Sequence, residues 1–123
     1  MNMDERRDFV RLKKRIKVMY KVIVDRFAST AVPPNITYTD TLSGNGMTFM
    51  SAKKIDEGVK LDITFEIEDG KKQGIDTAGV VLGSKQLDGG EHEIRVKFTD
   101  IDEPQKDRLA RYVMREQVKT KKK

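Results

Sequence analysis

Eight consecutive residues, Leu61 to Glu68, alternate strictly between apolar and polar side chains. This alternation is typical of a β-strand with one buried face, because successive side chains of a strand point to opposite sides. Similar stretches occur at residues 15–24, 35–39, 47–50, 75–82 and 93–98, separated by turns rich in glycine or proline. Closely spaced strands with short turns predict an all-β domain built as one antiparallel barrel or sandwich.

The pattern changes after the last strand. Asp102 is followed by Glu103, Pro104 and Gln105, which together make a helix-capping sequence with an early proline. The spacing of Leu109, Tyr112 and Val113 then puts three apolar side chains on one helix face, which predicts a C-terminal helix packed on the strands.

Length and composition limit the class of protein. A chain of 123 residues fits one domain, and it has no cysteine for disulfides or thiolate sites. No run of apolar residues approaches the roughly 20 of a membrane span, and the charged N-terminus does not resemble a signal peptide. We therefore expect a cytoplasmic protein that does not insert into a membrane.

Charge is distributed unevenly along the chain. The net balance is +5 over residues 1–26, −6 over residues 27–105 and +6 over residues 106–123. Basic ends around an acidic middle predict that an anion is bound near the termini. Nucleic acid, a nucleotide and a membrane surface remain open as that anion.

Catalytic patterns are missing from the sequence. His92 is the single histidine, and Asp62, Glu66 and Glu68 fall on the solvent side of their strand. There is no phosphate-binding Walker loop and no nucleophile elbow. We expect no enzymatic activity, no metal and no cofactor.

Three arginines precede the first predicted strand. Arg7 and Arg11 form an RxxxR pattern, and Arg6 adds a further charge. Guanidinium groups bind phosphate with two hydrogen bonds, pair with the O6 and N7 atoms of guanine and stack on bases. These arginines predict a nucleotide clamp, and a merely solvated basic arm is the alternative.

A second pattern lies between the second and third predicted strands. Thr41 and Ser43 place two hydroxyls on one side of an extended chain, while Gly44 and Gly46 allow the backbone to approach a ligand. The pattern is compatible with contacts to a base edge. An ordinary glycine turn is the alternative.

Together, in this order, the two patterns resemble the motifs of the PilZ domain family of cyclic di-GMP receptors. The resemblance covers Arg6 to about Val118 and implies a six-stranded antiparallel β-barrel with a C-terminal α-helix. The family has RxxxR before the first strand and (Asp/Asn)xSxxG at the junction of the second and third strands. Ser43 and Gly46 match the second motif, but Thr41 stands where the family has Asp or Asn, and Asp40 precedes it by one position. A threonine accepts weaker hydrogen bonds than a carboxylate, so this departure predicts weaker binding unless a bulge brings Asp40 to the site.

The resemblance implies a basic arm at residues 1–14, a barrel domain with its helix at 15–118 and a basic tail at 119–123. It assigns the ligand cyclic di-GMP to Arg6, Arg7, Arg11, Thr41, Ser43, Gly44 and Gly46, and implies that binding orders the arm and signals to a protein effector. We expect a monomer.

Two other functions are compatible with the sequence. The second reading is a degenerate domain that binds no nucleotide and acts as an adaptor in motility or pilus assembly. The third reading is a nucleic-acid-binding barrel. The third is disfavoured, because most aromatic residues fall on inward positions.

Overall fold

The computed structural model describes residues 11–23, 34–68 and 70–121. Within these ranges the chain forms seven strands and one helix. In chain order they are β1 (Leu12–Lys13), β2 (Lys17–Val22), β3 (Asn35–Ser43), β4 (Gly46–Ser51), β5 (Lys60–Glu68), β6 (Lys72–Gln86), β7 (His92–Phe98) and α1 (Glu103–Lys121).

Strand β3 closes the sheet into a barrel. It pairs with β2 on one edge and with β4 on the other, and the remaining strands run in the order β2, β5, β6, β7, β4. Every pairing between these strands is antiparallel. The prediction of a closed six-stranded antiparallel barrel with a C-terminal helix is confirmed, with one additional strand.

The additional strand, β1, extends the line of β2 along the same edge of β3. Leu12 pairs with Leu42, whereas β2 begins opposite Tyr38. Residues Leu12 and Lys13 thus belong to the sheet, although the sequence analysis places residues 1–14 in an arm ahead of the barrel. A two-residue strand is too short to show periodicity, so nothing in the sequence separates it from the arm.

The core follows the alternation seen in the sequence. On β5, Leu61, Ile63, Phe65 and Ile67 are at most 3% exposed, while the polar residues between them face solvent. Aromatic side chains contact one another across the barrel: the Tyr20 and Phe49 rings are 4.7 Å apart, and the Phe65 and Phe98 rings are 6.2 Å apart. Burial of these aromatic side chains supplies much of the apolar area that stabilises the barrel.

Helix α1 begins as its capping sequence predicts. The Gln105 amide donates to Asp102 Oδ1 at 2.9 Å, and the Gln105 side chain donates to Asp102 Oδ2 at 3.1 Å. The buried stripe is formed by Leu109, Tyr112 and Val113, as predicted, and it packs against β1, β3 and β5. The helix reaches Lys121 and so includes residues that the sequence analysis places in the tail beyond 118.

Candidate functional site

A concavity of about 260 Å³ opens on the barrel wall where the β3–β4 hairpin lies beside β7. Arg11, Thr41, Ser43 and Asn45 border it on the hairpin side, with Gly46, Met47 and Thr48 on β4. The opposite side is formed by β6 and β7, through Leu82, Arg95, Val96 and Lys97.

The structure brings four of the seven predicted site residues together. Arg11, Thr41, Ser43 and Gly46 all border the concavity. Gly44 is buried at the hairpin turn and is not among the described residues that line it. Arg6 and Arg7 lie outside the described residues.

The position of Arg11 is set by β1. Arg11 precedes Leu12, which pairs with Leu42 of β3 and is fully buried. The chain beyond β1 is fixed by Thr39, whose hydroxyl donates to the Lys14 carbonyl at 2.5 Å and accepts from the Ile16 amide at 2.9 Å. Because Arg11 is joined to this anchored segment, its backbone lies beside the hairpin.

Ser43 holds the hairpin turn together. Its hydroxyl donates to Asn45 Oδ1 at 2.7 Å and accepts a hydrogen bond from the Asn45 amide at 3.3 Å. The side chain is 5% exposed. The serine therefore shapes the turn, and its oxygen remains at the margin of the concavity.

Gly46 is required by close packing. A Cβ at this position would overlap the carbonyl oxygen of Val96 on the adjacent strand β7. The glycine thus lets β4 and β7 approach each other at the floor of the concavity. The packing therefore requires a glycine here, and a contact between Gly46 and a ligand stays a prediction.

Thr41 is engaged inside the sheet. Its hydroxyl lies 2.9 Å from that of Thr48, and its amide donates to the same Thr48 oxygen at 3.1 Å. The two threonines form one polar strip at the edge of the concavity.

Asp40 is the extra residue of a bulge. Thr39 pairs with Phe49 and Thr41 pairs with Thr48, so Asp40 has no partner residue on β4. Asp40 borders a neighbouring groove with Lys13, Lys14 and Arg15 and is not among the described residues that line the concavity. The bulge that the sequence leaves open is thus present, but it does not add Asp40 to this lining.

The electrostatics of the concavity are cationic. Arg11, Arg95 and Lys97 line it, and no carboxylate is among the described residues around it. None of the three cations has an ion-pair partner among the described residues. Unpaired arginine and lysine side chains beside hydroxyl groups suit a phosphate or another anion with polar edges.

Arg95, Lys97 and Leu82 are site residues that the sequence analysis missed. The alternation of β7 does show that Arg95 and Lys97 face outward. It does not show that this outward face lies beside Gly46, because that depends on the pairing of β7 with β4. A local pattern carries no information about non-local register.

A metal site would require several histidine, aspartate or glutamate side chains close together. Within the described part of the chain, no three histidine, aspartate or glutamate side chains are grouped to hold a metal ion. His92 begins β7 and pairs with Ser51 and Gln86. Helix α1, the one helix among the described residues, is not both long and apolar enough to cross a membrane.

Known proteins with a similar fold were identified by comparison of structures. The Bacillus subtilis inhibitor of motility (MotI/DgrA) matches with a TM-score of 0.77 and 16% identity, over 90% of this chain and 51% of that one. This chain therefore spans about half the length of the Bacillus protein. The PilZ domain of Escherichia coli YcgR, solved with cyclic di-GMP, matches with a TM-score of 0.66 and 13% identity, over 93% of each chain.

A tetrameric PilZ domain protein of Xanthomonas campestris, which assembles through a helical bundle, is also similar. Its TM-score is 0.68 at 13% identity, over 94% of this chain and 92% of that one. At these identities the likeness concerns the fold.

No curated protein matches the sequence. The family model described as "PilZ domain" matches residues 5–115, nearly the whole chain. The chain therefore belongs to the PilZ domain family.

Proposed function

We propose that this domain binds cyclic di-GMP in the concavity between the β3–β4 hairpin and β7, and that it acts as a receptor rather than an enzyme. The observation that carries the proposal is the cationic lining at the Ser43–Gly46 turn, for which the described residues supply no ion-pair partner. Arg11, Arg95 and Lys97 face a space that has no carboxylate among its described residues. A dianionic nucleotide supplies the missing counter-charge.

The chemistry of the ligand fits this lining. Cyclic di-GMP offers phosphate oxygens and the O6 and N7 acceptors of guanine, and all of these accept hydrogen bonds from arginine. Arg11 is placed to contact a phosphate or a guanine edge, while Thr41, Thr48 and Asn45 offer neutral hydrogen-bonding groups. The YcgR domain with the same fold was solved with this ligand, which supports the choice.

The size of the concavity supports a part for the arginines ahead of β1. Its volume of about 260 Å³ lies below the roughly 300–1,000 Å³ of ordinary ligand pockets. Part of a cyclic dinucleotide would therefore project beyond it and be available to Arg6 and Arg7. In this proposal, contact with those arginines orders the segment ahead of β1, and a cytoplasmic protein effector recognises the ordered segment.

The experiment is a calorimetric titration with cyclic di-GMP. The parent protein is compared with Arg11→Ala and with a matched control, Lys21→Ala, whose exposed lysine lies on β2 away from the lining residues. We expect saturable binding by the parent and the control, and binding weakened about tenfold or more in Arg11→Ala. Equal affinity in all three proteins would place the site elsewhere. No binding by the parent would overturn the receptor proposal and favour a nucleotide-independent adaptor.

A further inference from the structure

The wall of the concavity opposite Arg11 contains a second β-bulge. Val81 pairs with Val96 and Gly83 pairs with Arg95, so Leu82 has no partner residue on β7. The bulge leaves Leu82 on the outer surface, where its side chain is 42% exposed and borders the concavity. Leu82 therefore offers a small apolar platform at the wall of the concavity.

The guanidinium of Arg95 lies next to this platform. A Cβ built on Gly83 would stand 3.9 Å from Arg95 Nη2, so the guanidinium lies over the bare glycine backbone. The Arg95 side chain makes no hydrogen bond or ion pair with the described residues. Its planar donors are therefore open toward the concavity.

We infer that Leu82 and Arg95 form a base-binding wall, on which Arg95 donates to O6 and N7 of one guanine while Leu82 packs against the purine ring. This inference rests on the proposed binding of cyclic di-GMP. A base edge suits Arg95 because the exposed apolar side chain of Leu82 and the bare backbone of Gly83 adjoin it on β6, while Thr48 pairs with it on β4. Arg11 and Lys97 remain for the phosphates.

The wall also determines which base is accepted. Adenine has an amino donor where guanine has O6, so a bidentate arginine favours guanine. Thr41 offers only a neutral hydroxyl, and it already bonds to Thr48 at 2.9 Å. In this inference a charged contact to the base comes from Arg95, so β7 contributes to the specificity for guanine.

The test uses two ligands and three proteins. Cyclic di-GMP and its 7-deaza analogue, in which a carbon replaces each N7, are titrated into the parent, Arg95→Ala and Arg111→Ala. The last variant is a charge-matched control on the exposed side of α1. Arg95→Ala is expected to weaken binding of cyclic di-GMP about tenfold to hundredfold. The 7-deaza change is expected to weaken the parent and the control about tenfold and to leave Arg95→Ala unaffected.

The outcomes separate the inference from the proposed function. If Arg95→Ala binds as the parent does, or if the 7-deaza change costs both proteins the same factor, Arg95 does not contact N7 and the inference is overturned while the receptor proposal stands. If the parent binds neither ligand, the inference and the receptor proposal are both overturned. Circular dichroism establishes that the variants are folded. Arg95→Lys keeps the charge but loses the paired donors of the guanidinium, so we expect it to retain only part of the affinity.

Discussion

At the scale of single residues, the site depends on side chains that have different tasks. Ser43 holds the turn through its bonds to Asn45, and Gly46 allows two strands to approach. Arg11 and Arg95 both bring positive charge to the concavity. The RxxxR and SxxG patterns thus combine residues that shape the site with residues that face it.

Gly46→Ala should destabilise the fold. The new methyl group would overlap the Val96 carbonyl oxygen, and the β4–β7 pairing would have to move. We expect the free energy of unfolding in urea to fall by about 1–3 kcal/mol. Gly74→Ala is the matched control, because its Cβ would meet nothing within 4 Å, and it should change stability by less than about 0.5 kcal/mol. Equal effects of the two substitutions would contradict the packing explanation.

Thr41→Asp should strengthen the binding of cyclic di-GMP. It restores a carboxylate at the position where the family motif has one, and it adds a charged acceptor for the guanine amino groups. We expect affinity to rise about tenfold to hundredfold by calorimetry. Thr41→Val is the control, since it preserves the shape without an acceptor and should not bind more tightly than the parent. An aspartate variant no tighter than the parent would refute the role given to this position.

At the scale of elements, the segment that carries Arg11 is linked to helix α1. Lys14, directly after β1, donates to Glu116 Oε1 at 2.7 Å and lies 5.4 Å from the Tyr112 ring centroid. The hydrogen bond to Glu116 holds the pKa of Lys14 above its usual 10.5, and the same bond holds the pKa of Glu116 below its usual 4.5. A movement of the segment ahead of β2 would therefore also change the contacts of the helix.

This link predicts a pH dependence of stability. Because the folded pKa of Glu116 is lowered, its contribution is present above the unfolded value of 4.5 and is lost as pH falls through the folded value. The raised pKa of Lys14 acts at the other end, where its contribution is lost as pH rises through the folded value above 10.5. For this partly exposed pair we expect about 0.5–1 kcal/mol.

The measurement is urea unfolding of the parent and Glu116→Gln at about pH 7 and about pH 3. The difference between the two proteins should be present at the higher pH and should shrink at the lower one, because the parent then also loses the charge. A difference that stays the same at both pH values would show that the ion pair does not contribute.

The sequence predicts the elements better than it predicts the site. The alternation of β5 and the capping box of α1 are local patterns, and each element forms where its pattern lies. The bulges at Asp40 and Leu82 are not local, because an extra residue exists only relative to a partner strand. Arg95 reaches the concavity through such pairing. The residues of the two sequence motifs could therefore be predicted as site residues, whereas the residues on β7 could not.

At the scale of the whole molecule, charge and shape together favour the concavity as the proposed anion site. The acidic middle of the chain forms most of the barrel, and the basic N-terminal segment enters it through β1 beside the concavity. The basic helix lies against β1, β3 and β5. Met114 and Val118 are exposed apolar residues of this helix. The monomeric state stays a prediction.

The central claim is that cyclic di-GMP binds between the β3–β4 hairpin and β7. A titration of the ¹⁵N-labelled protein with cyclic di-GMP, followed by amide chemical shifts, tests it most directly. We predict that the largest changes occur from Thr41 to Thr48 and from Arg95 to Lys97, with further changes at Leu82 and Gly83. Saturable changes confined to the outer face of α1, or none at all, would contradict it.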